Sequence, residues 1–229
     1  MRYARLLLPL ALLCLAAPLL AHNVAARDAA FLKQNQGTQI FPFLYLGAKH
    51  MVTGYDHLLF LFGVIFFLYR LKDVAIYVTC FAIGHSVTLL TGVLTGVHVN
   101  PFLVDALIGL SVVYKAFDNL NGFRTLFGFE PNTKLMVLMF GLVHGFGLAT
   151  KLQDLHLSTK GLVGNLVSFN VGVELGQLIA LSIILLAMTW WRGTSDFVKH
   201  AVAANVVVMM LGFLLIGYQL TGYYTGRAA

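Results

Sequence analysis

Residues 161–190 read GLVGNLVSFNVGVELGQLIALSIILLAMTW and contain one charged side chain, Glu174. An α-helix needs about 20 consecutive apolar residues to cross the hydrocarbon core of a bilayer. This stretch exceeds that length, so it predicts a transmembrane helix that is tilted or that begins in the membrane interface.

The composition of the whole chain agrees with this stretch. The chain has 229 residues, of which 59% are hydrophobic and 10% are charged, whereas soluble domains average about 45–50% apolar and about 25% charged residues. We therefore predict an all-α integral membrane protein, a bundle of about six transmembrane helices after an N-terminal signal peptide. The predicted spans lie at about 50–69, 74–95, 101–118, 134–150, 161–190 and 200–222.

The chain begins with the layout of a secretory signal peptide. Arg2 and Arg5 form a basic region, residues 6–20 form an apolar core, and Ala21 is a small residue at a cleavage point. An uncleaved anchor helix is the alternative. The predicted domains are a signal peptide at 1–21, an extracytoplasmic lead-in at 22–42 and a six-helix transmembrane domain at 43–229.

The charge distribution predicts the orientation of the chain. The net charge is +6, and most basic residues lie in short gaps between apolar runs. This placement is typical of juxtamembrane charges in a lipid bilayer and argues against a nucleic-acid partner. The excess of Lys and Arg in alternate loops predicts a multi-pass protein of the bacterial inner (cytoplasmic) membrane with both termini extracytoplasmic. The predicted cytoplasmic loops hold Arg70, Lys72, Arg124, Arg192 and Lys199, and the outer loops hold Lys151 and Lys160.

Polar side chains inside the predicted spans point to a functional site. A charged side chain at the centre of a transmembrane helix costs about 2.5–3.5 kcal/mol on insertion scales, so a chain that keeps several usually uses them. His50 and His57 are seven residues apart in the first predicted span, which places them within about 20° of each other on a helix. Thr53 is predicted on the same face, and Asp56 points about 100° away from His57.

The other predicted spans carry polar side chains at similar depth. Spacings of four and three residues place Asn170, Glu174 and Gln177 on one stripe of the fifth span. One cluster in the outer half of the membrane could collect the titratable groups, with Glu174 neutralising the charge of a bound ion. The remaining candidates are His85 and Ser86 in the second span, Asp105 in the third and His144 in the fourth.

Imidazoles together with carboxylates suit a borderline divalent cation such as zinc, nickel, copper or iron better than magnesium or calcium. The alternative is that each polar group only stabilises helix packing through hydrogen bonds. No P-loop, dinucleotide-binding or nucleophile-elbow motif is present, and no catalytic residue is assigned. The predicted metal ligands are His50, Asp56, His57, His85, His144 and Glu174, and the supporting polar residues are Thr53, Ser86, Asp105, Asn170 and Gln177.

Four sequence blocks, in chain order, resemble one protein family. They are residues 54–61 (GYDHLLFL), 84–89 (GHSVTL), 141–147 (GLVHGFG) and 169–177 (FNVGVELGQ). Together they resemble the second branch of the HupE/UreJ family of hydrogenase and urease accessory membrane proteins. Asp105 departs slightly, because the family tends to have Glu there. The resemblance implies a small multi-pass membrane protein linked to the supply of nickel or another transition metal.

Hypotheses from different functional classes remain open at this point. The first is a permease for nickel or another divalent metal, or an accessory subunit that binds the metal for supply without transporting it. The second is an intramembrane hydrolase in which zinc activates a water molecule and Asp56 or Glu174 serves as base. We expect a transporter or accessory protein rather than an enzyme. The metal is expected to be nickel by family resemblance, with zinc as the other possibility, and no protein partner is specified.

Overall fold

The computed structural model describes residues 37–154 and 160–226. The predicted signal peptide and most of the lead-in lie outside the described residues. The described residues form eight α-helices and no strand, which confirms the all-α prediction. In chain order the helices are α1 (Ile40–Thr53), α2 (Tyr55–Ile65), α3 (Leu71–Thr95), α4 (Pro101–Asn119), α5 (Gly122–Phe127), α6 (Thr133–Asp154), α7 (Leu162–Arg192) and α8 (Phe197–Thr225).

Four of these helices, α3, α6, α7 and α8, are long and apolar enough to cross a membrane. They correspond to the second, fourth, fifth and sixth predicted spans, so a multi-pass membrane protein is supported. The first and third predicted spans correspond to α1–α2 and to α4. Helix α2 is a shorter apolar helix, and α4 begins after an Asn100 cap with Pro101 in its first turn, where the missing N–H of proline costs little.

The first predicted span is a broken helix instead of a continuous one. Gly54 has a ψ of 100°, an extended conformation that ends α1 before α2 begins. In a continuous helix the backbone N–H of His57 would bond to the carbonyl oxygen of Thr53. It donates instead to Oδ1 of Asp56, at 2.9 Å. The aspartate thus competes with the helical hydrogen bond, as short polar side chains do at helix starts.

The break makes one sequence prediction wrong. Thr53 does not share a helix face with His57, because the helical phase is interrupted at Gly54. The side chain of Thr53 is exposed, and its hydroxyl donates to the carbonyl oxygen of Lys49 at 2.8 Å.

The most extensive helix contacts join α3 to α6, α1 to α7 and α4 to α8. Glycines permit these contacts, since small residues let helix backbones approach closely in lipid. A Cβ on Gly172 of α7 would overlap the carbonyl oxygen of Leu44 in α1, and a Cβ on Gly141 of α6 would overlap that of Phe81 in α3. Each of these glycines belongs to a Gly-x-x-x-Gly pair, and both pairs, Gly141/Gly145 and Gly172/Gly176, lie at the helix contacts.

Replacement of Gly172 by alanine is expected to push α7 away from α1 and to destabilise the protein by about 1–3 kcal/mol, the usual cost of overpacking. Thermal unfolding in detergent measures the effect. Gly217→Ala is the matched control, because a Cβ at Gly217 of α8 meets nothing within 4 Å. Equal unfolding temperatures for the two variants would contradict the close contact of α1 with α7.

Two polar contacts hold α2 in place within the bundle. The side-chain amide of Asn119 in α4 donates to the carbonyl oxygen of Gly63 at 2.8 Å and to Oδ1 of Asn205 in α8 at 2.9 Å. At the end of α2, the guanidinium of Arg192 donates to the carbonyl oxygens of Phe66 at 2.9 Å and Leu68 at 3.0 Å. These bonds satisfy carbonyl groups that the helix end leaves open.

Candidate metal site

His57, at the start of α2, lies between two other imidazole rings. Its ring centroid is 5.0 Å from that of His50 in α1 and 5.0 Å from that of His144 in α6. His57 and His144 are buried, whereas His50 is half-buried. The three rings therefore form a row that leads from the partly exposed end of α1 into the bundle.

The ring of Phe81 in α3 packs against this row and joins His85 to it. Its centroid is 4.9 Å from that of His144, 6.5 Å from that of His57 and 6.1 Å from that of His85. His85 is 1% exposed, and neither of its ring nitrogens has a hydrogen-bond partner among the described residues. Phe81 thus contacts three of the predicted histidines, from α2, α3 and α6, and His50 of α1 joins them through its contact with His57.

Two of these histidines have their Nδ1 atoms held by oxygen acceptors. Nδ1 of His57 lies 2.9 Å from Oδ1 of Asp56, and Nδ1 of His144 lies 2.7 Å from the carbonyl oxygen of Phe140. A carbonyl or carboxylate oxygen only accepts, so Nδ1 carries the proton in both rings. Each Nε2 then presents a lone pair, and Nε2 of His144 has no hydrogen-bond partner in the described part of the chain.

The close contact of α3 with α6 places His144 beside Phe81. A Cβ on Gly145 would overlap both the hydroxyl of Thr88 and the carbonyl oxygen of His85. The same threonine donates to the carbonyl oxygen of Leu142 at 2.7 Å, across the two helices. The glycines of the GLVHGFG block therefore bring the imidazole of α6 against α3.

Gly54 is needed for the geometry of the Asp56–His57 pair. A Cβ at Gly54 would lie 2.6 Å from Nδ1 of His57, 3.0 Å from Oδ1 of Asp56 and 3.1 Å from the carbonyl oxygen of His50. Real Cβ atoms essentially never approach another heavy atom closer than 3.0 Å. The imidazole and the carboxylate thus occupy space that any other residue type would fill.

Three further predicted site residues have partners or exposure that differ from those of the histidines. Asp105 is buried but forms an ion pair with Lys151, whose Nζ is 2.9 Å from its Oδ2, because α6 extends further than the predicted span and carries Lys151. Ser86 is half-buried. Glu174 is exposed on α7, although Asn170 and Gln177 on either side of it are buried. The structure therefore does not bring Glu174 into the group of histidines.

The arrangement offers imidazole ligands but not a closed metal cage. Among residues 37–154 and 160–226, no group of three or more His, Cys, Asp or Glu side chains is arranged to hold a metal ion. The Nε2 atoms of His57 and His144 nevertheless have the chemistry of a transition-metal ligand pair, and the side chain of Asp56 adds a negative charge beside them. A resident structural metal takes about four ligands in a closed site, which the described residues do not provide here.

Apolar helices around a buried group of imidazoles define a multi-pass membrane protein with a histidine-rich interior. The chain belongs to the HupE/UreJ family, since a family model described as HupE / UreJ protein matches residues 26–227. This confirms the resemblance seen in the four sequence blocks, and it indicates a metal-related accessory membrane protein. No curated protein and no solved structure matches the chain.

Proposed function

We propose that this protein binds a divalent transition-metal ion inside the bilayer and carries it across the bacterial inner membrane, as a permease in a metal-supply route. The observation that supports this most is the pair formed by His57 and His144. Their rings are 5.0 Å apart, and each has its Nδ1 held by an oxygen acceptor. Histidines that bind metals almost always donate their other ring N–H in this way, which fixes the tautomer and the ring orientation.

The ion is proposed to be cargo and not a resident cofactor. A transported ion must bind well enough to enter and weakly enough to leave. Two imidazoles with a carboxylate nearby meet this condition better than a complete ligand cage would. Nitrogen donors suit nickel and zinc alike, and membership of the HupE/UreJ family favours nickel.

The row of imidazoles gives the cargo a path. His50 is half-buried and would receive the ion first, His57 lies next to it, and the buried His144 follows. Asp56 orients the His57 ring and partly offsets the charge of a divalent ion in a medium of low dielectric constant. We place the His50 end on the extracytoplasmic side, because the basic loops after α2, α4 and α7 favour the cytoplasm. In this proposed topology both chain termini are extracytoplasmic. The signal peptide is proposed to be cleaved after Ala21.

The proposal is tested with purified full-length protein in detergent and in lipid vesicles. After removal of metals, equilibrium dialysis against Ni²⁺ or Zn²⁺ followed by elemental analysis is expected to give saturable binding. Vesicles that contain the protein are expected to take up Ni²⁺ faster than empty vesicles. His98→Ala is a suitable control, because His98 is exposed and its Nε2 lies 3.1 Å from Asp154. Binding without uptake would favour an accessory subunit, and absence of binding would end the proposal.

A further inference from the structure

Two buried amide side chains of α7 lack hydrogen-bond partners in the described part of the chain. Asn170 is 7% exposed and Gln177 is 1% exposed, and neither the amide nitrogen nor the amide oxygen of either residue is bonded. A buried polar group left in this state costs about 1–3 kcal/mol. Asn205 of α8 is equally buried but donates to the carbonyl oxygen of Ala201 at 2.9 Å and accepts from Asn119. The α7 amides are thus not used for helix packing as that of Asn205 is.

The unpartnered amides lie on a buried face of α7, beside apolar clusters that include residues of α2 and α3. Leu166, one turn before Asn170, belongs to the same apolar cluster as Leu61 of α2 and Leu89 of α3. Residues four apart share a helix face, so Asn170 points the same way as Leu166.

The same holds one turn beyond the second amide. Leu181, four residues after Gln177, packs in a cluster with Ile65 of α2 and Val74 of α3. Both amides therefore lie on the buried face of α7, next to apolar clusters to which the helices that carry His57 and His85 contribute.

The neighbouring face of α7 contacts α1, the helix that carries His50. Phe169 has its ring centroid 6.2 Å from that of His50, and a Cβ on Gly176 would lie 3.0 Å from Cβ of Met51. Asn170 and Gln177 each follow one of these α1 contacts by a single residue, about 100° further around the helix. Each amide thus lies one residue from an α7 contact with α1, the helix that carries His50.

Imidazoles bind a metal ion directly, whereas neutral amides can bind a metal ion that keeps its water ligands. A borderline divalent metal prefers imidazole nitrogen in its inner coordination shell. The water ligands of a hydrated cation point O–H groups outward, and amide oxygens accept such bonds. We propose that Asn170 and Gln177 bind the cargo as a hydrated divalent cation, through its water ligands, beside the His57–His144 pair. This inference rests on the proposed function and specifies the form in which the ion reaches the histidines.

The test compares two α7 variants with one control in otherwise intact protein. Asn170→Leu and Gln177→Met each remove an amide without partners. Asn205→Leu, the control, removes an amide with partners and makes the same change in side-chain volume as Asn170→Leu. In metal-free detergent solution, the α7 variants are expected to keep or raise the unfolding temperature, whereas Asn205→Leu lowers it. In equilibrium dialysis, the α7 variants are expected to bind Ni²⁺ about tenfold more weakly, because each loses about one hydrogen bond to a charged group. Asn205→Leu is expected to keep the wild-type affinity.

Two outcomes would overturn this inference and leave the proposed function intact. If the α7 variants unfold at lower temperature in the way that Asn205→Leu does, the amides serve helix packing. If the α7 variants keep both stability and Ni²⁺ affinity, the two wild-type amides bind only water. Should either leucine variant fail to fold, Asn170→Ala against Asn205→Ala repeats the comparison without added volume. Wild-type protein that binds no Ni²⁺ would instead end the proposed function, and this inference with it.

Discussion

Replacement of both His57 and His144 by alanine is expected to abolish Ni²⁺ binding while the helices stay assembled. The double variant removes the two Nε2 lone pairs whose orientation the structure fixes through Asp56 and Phe140. Loss of a single orienting partner typically costs 10–100-fold in metal affinity, so loss of both ligands should exceed about a hundredfold. Equilibrium dialysis against Ni²⁺ gives the affinity, and far-ultraviolet circular dichroism gives the helix content.

A second substitution separates ligand loss from loss of packing. The ring of His144 contacts the aromatic rings of Phe60 and Phe81, at centroid distances of 5.7 and 4.9 Å. His144→Phe keeps an aromatic ring at this position and removes the nitrogen, so it should also lose Ni²⁺ affinity. Wild-type affinity in the double alanine variant would show that the metal binds elsewhere.

The sequence predicted the fold class and the family because both depend on strong signals. Runs of about 20 apolar residues have few stable forms other than membrane helices, and the four blocks of residues are matched by the family model over 26–227. Burial of Asp56, His57, His85 and His144 also agrees with the sequence, since each lies within an apolar run. The partners of these side chains were not predictable, because they come from neighbouring helices and from backbone atoms such as the Phe140 carbonyl oxygen.

Helix phase alone could not decide which polar groups of α7 are buried. Asn170 and Gln177 are within about 20° of each other on a helix, whereas Glu174 lies about 40–60° from them. The edge of the buried face falls between these positions, and only the packing of the neighbouring helices against α7, with α1 foremost, sets that edge. Glu174 is exposed for this reason.

Helix ends explain the polar contacts that sequence reasoning missed. Asn119 was expected just beyond the third span and Asn205 near the start of the sixth, where polar residues normally meet the interface. The structure brings them together at 2.9 Å. Lys151 likewise was assigned to an outer loop, although α6 continues to Asp154 and carries it to Asp105.

The broken helix was the least predictable feature, because Gly54 lies inside a stretch that reads as one predicted span, 50–69. A single glycine lowers helix propensity by only about 1 kcal/mol relative to alanine and does not by itself indicate a break. The break also depends on Asp56, whose carboxylate takes the N–H of His57. Gly54 and Asp56 together place the imidazole of His57 at the start of α2, inside the helix bundle.

Gly54→Ala is therefore expected to weaken Ni²⁺ binding by about 10–100-fold, the usual cost of losing an orienting partner. The new Cβ would lie 2.6 Å from Nδ1 of His57, so the ring must leave Asp56 or the backbone must move. Gly63→Ala is the control, because Gly63 lies in α2, the helix that follows Gly54, and its Cβ would meet only the side chain of Lys115, at 3.3 Å. Both variants are compared by Ni²⁺ dialysis and by thermal unfolding. A loss of stability without a loss of affinity in Gly54→Ala would mean that the glycine only breaks the helix, whereas a loss of affinity that Gly63→Ala does not share assigns it to the position of His57.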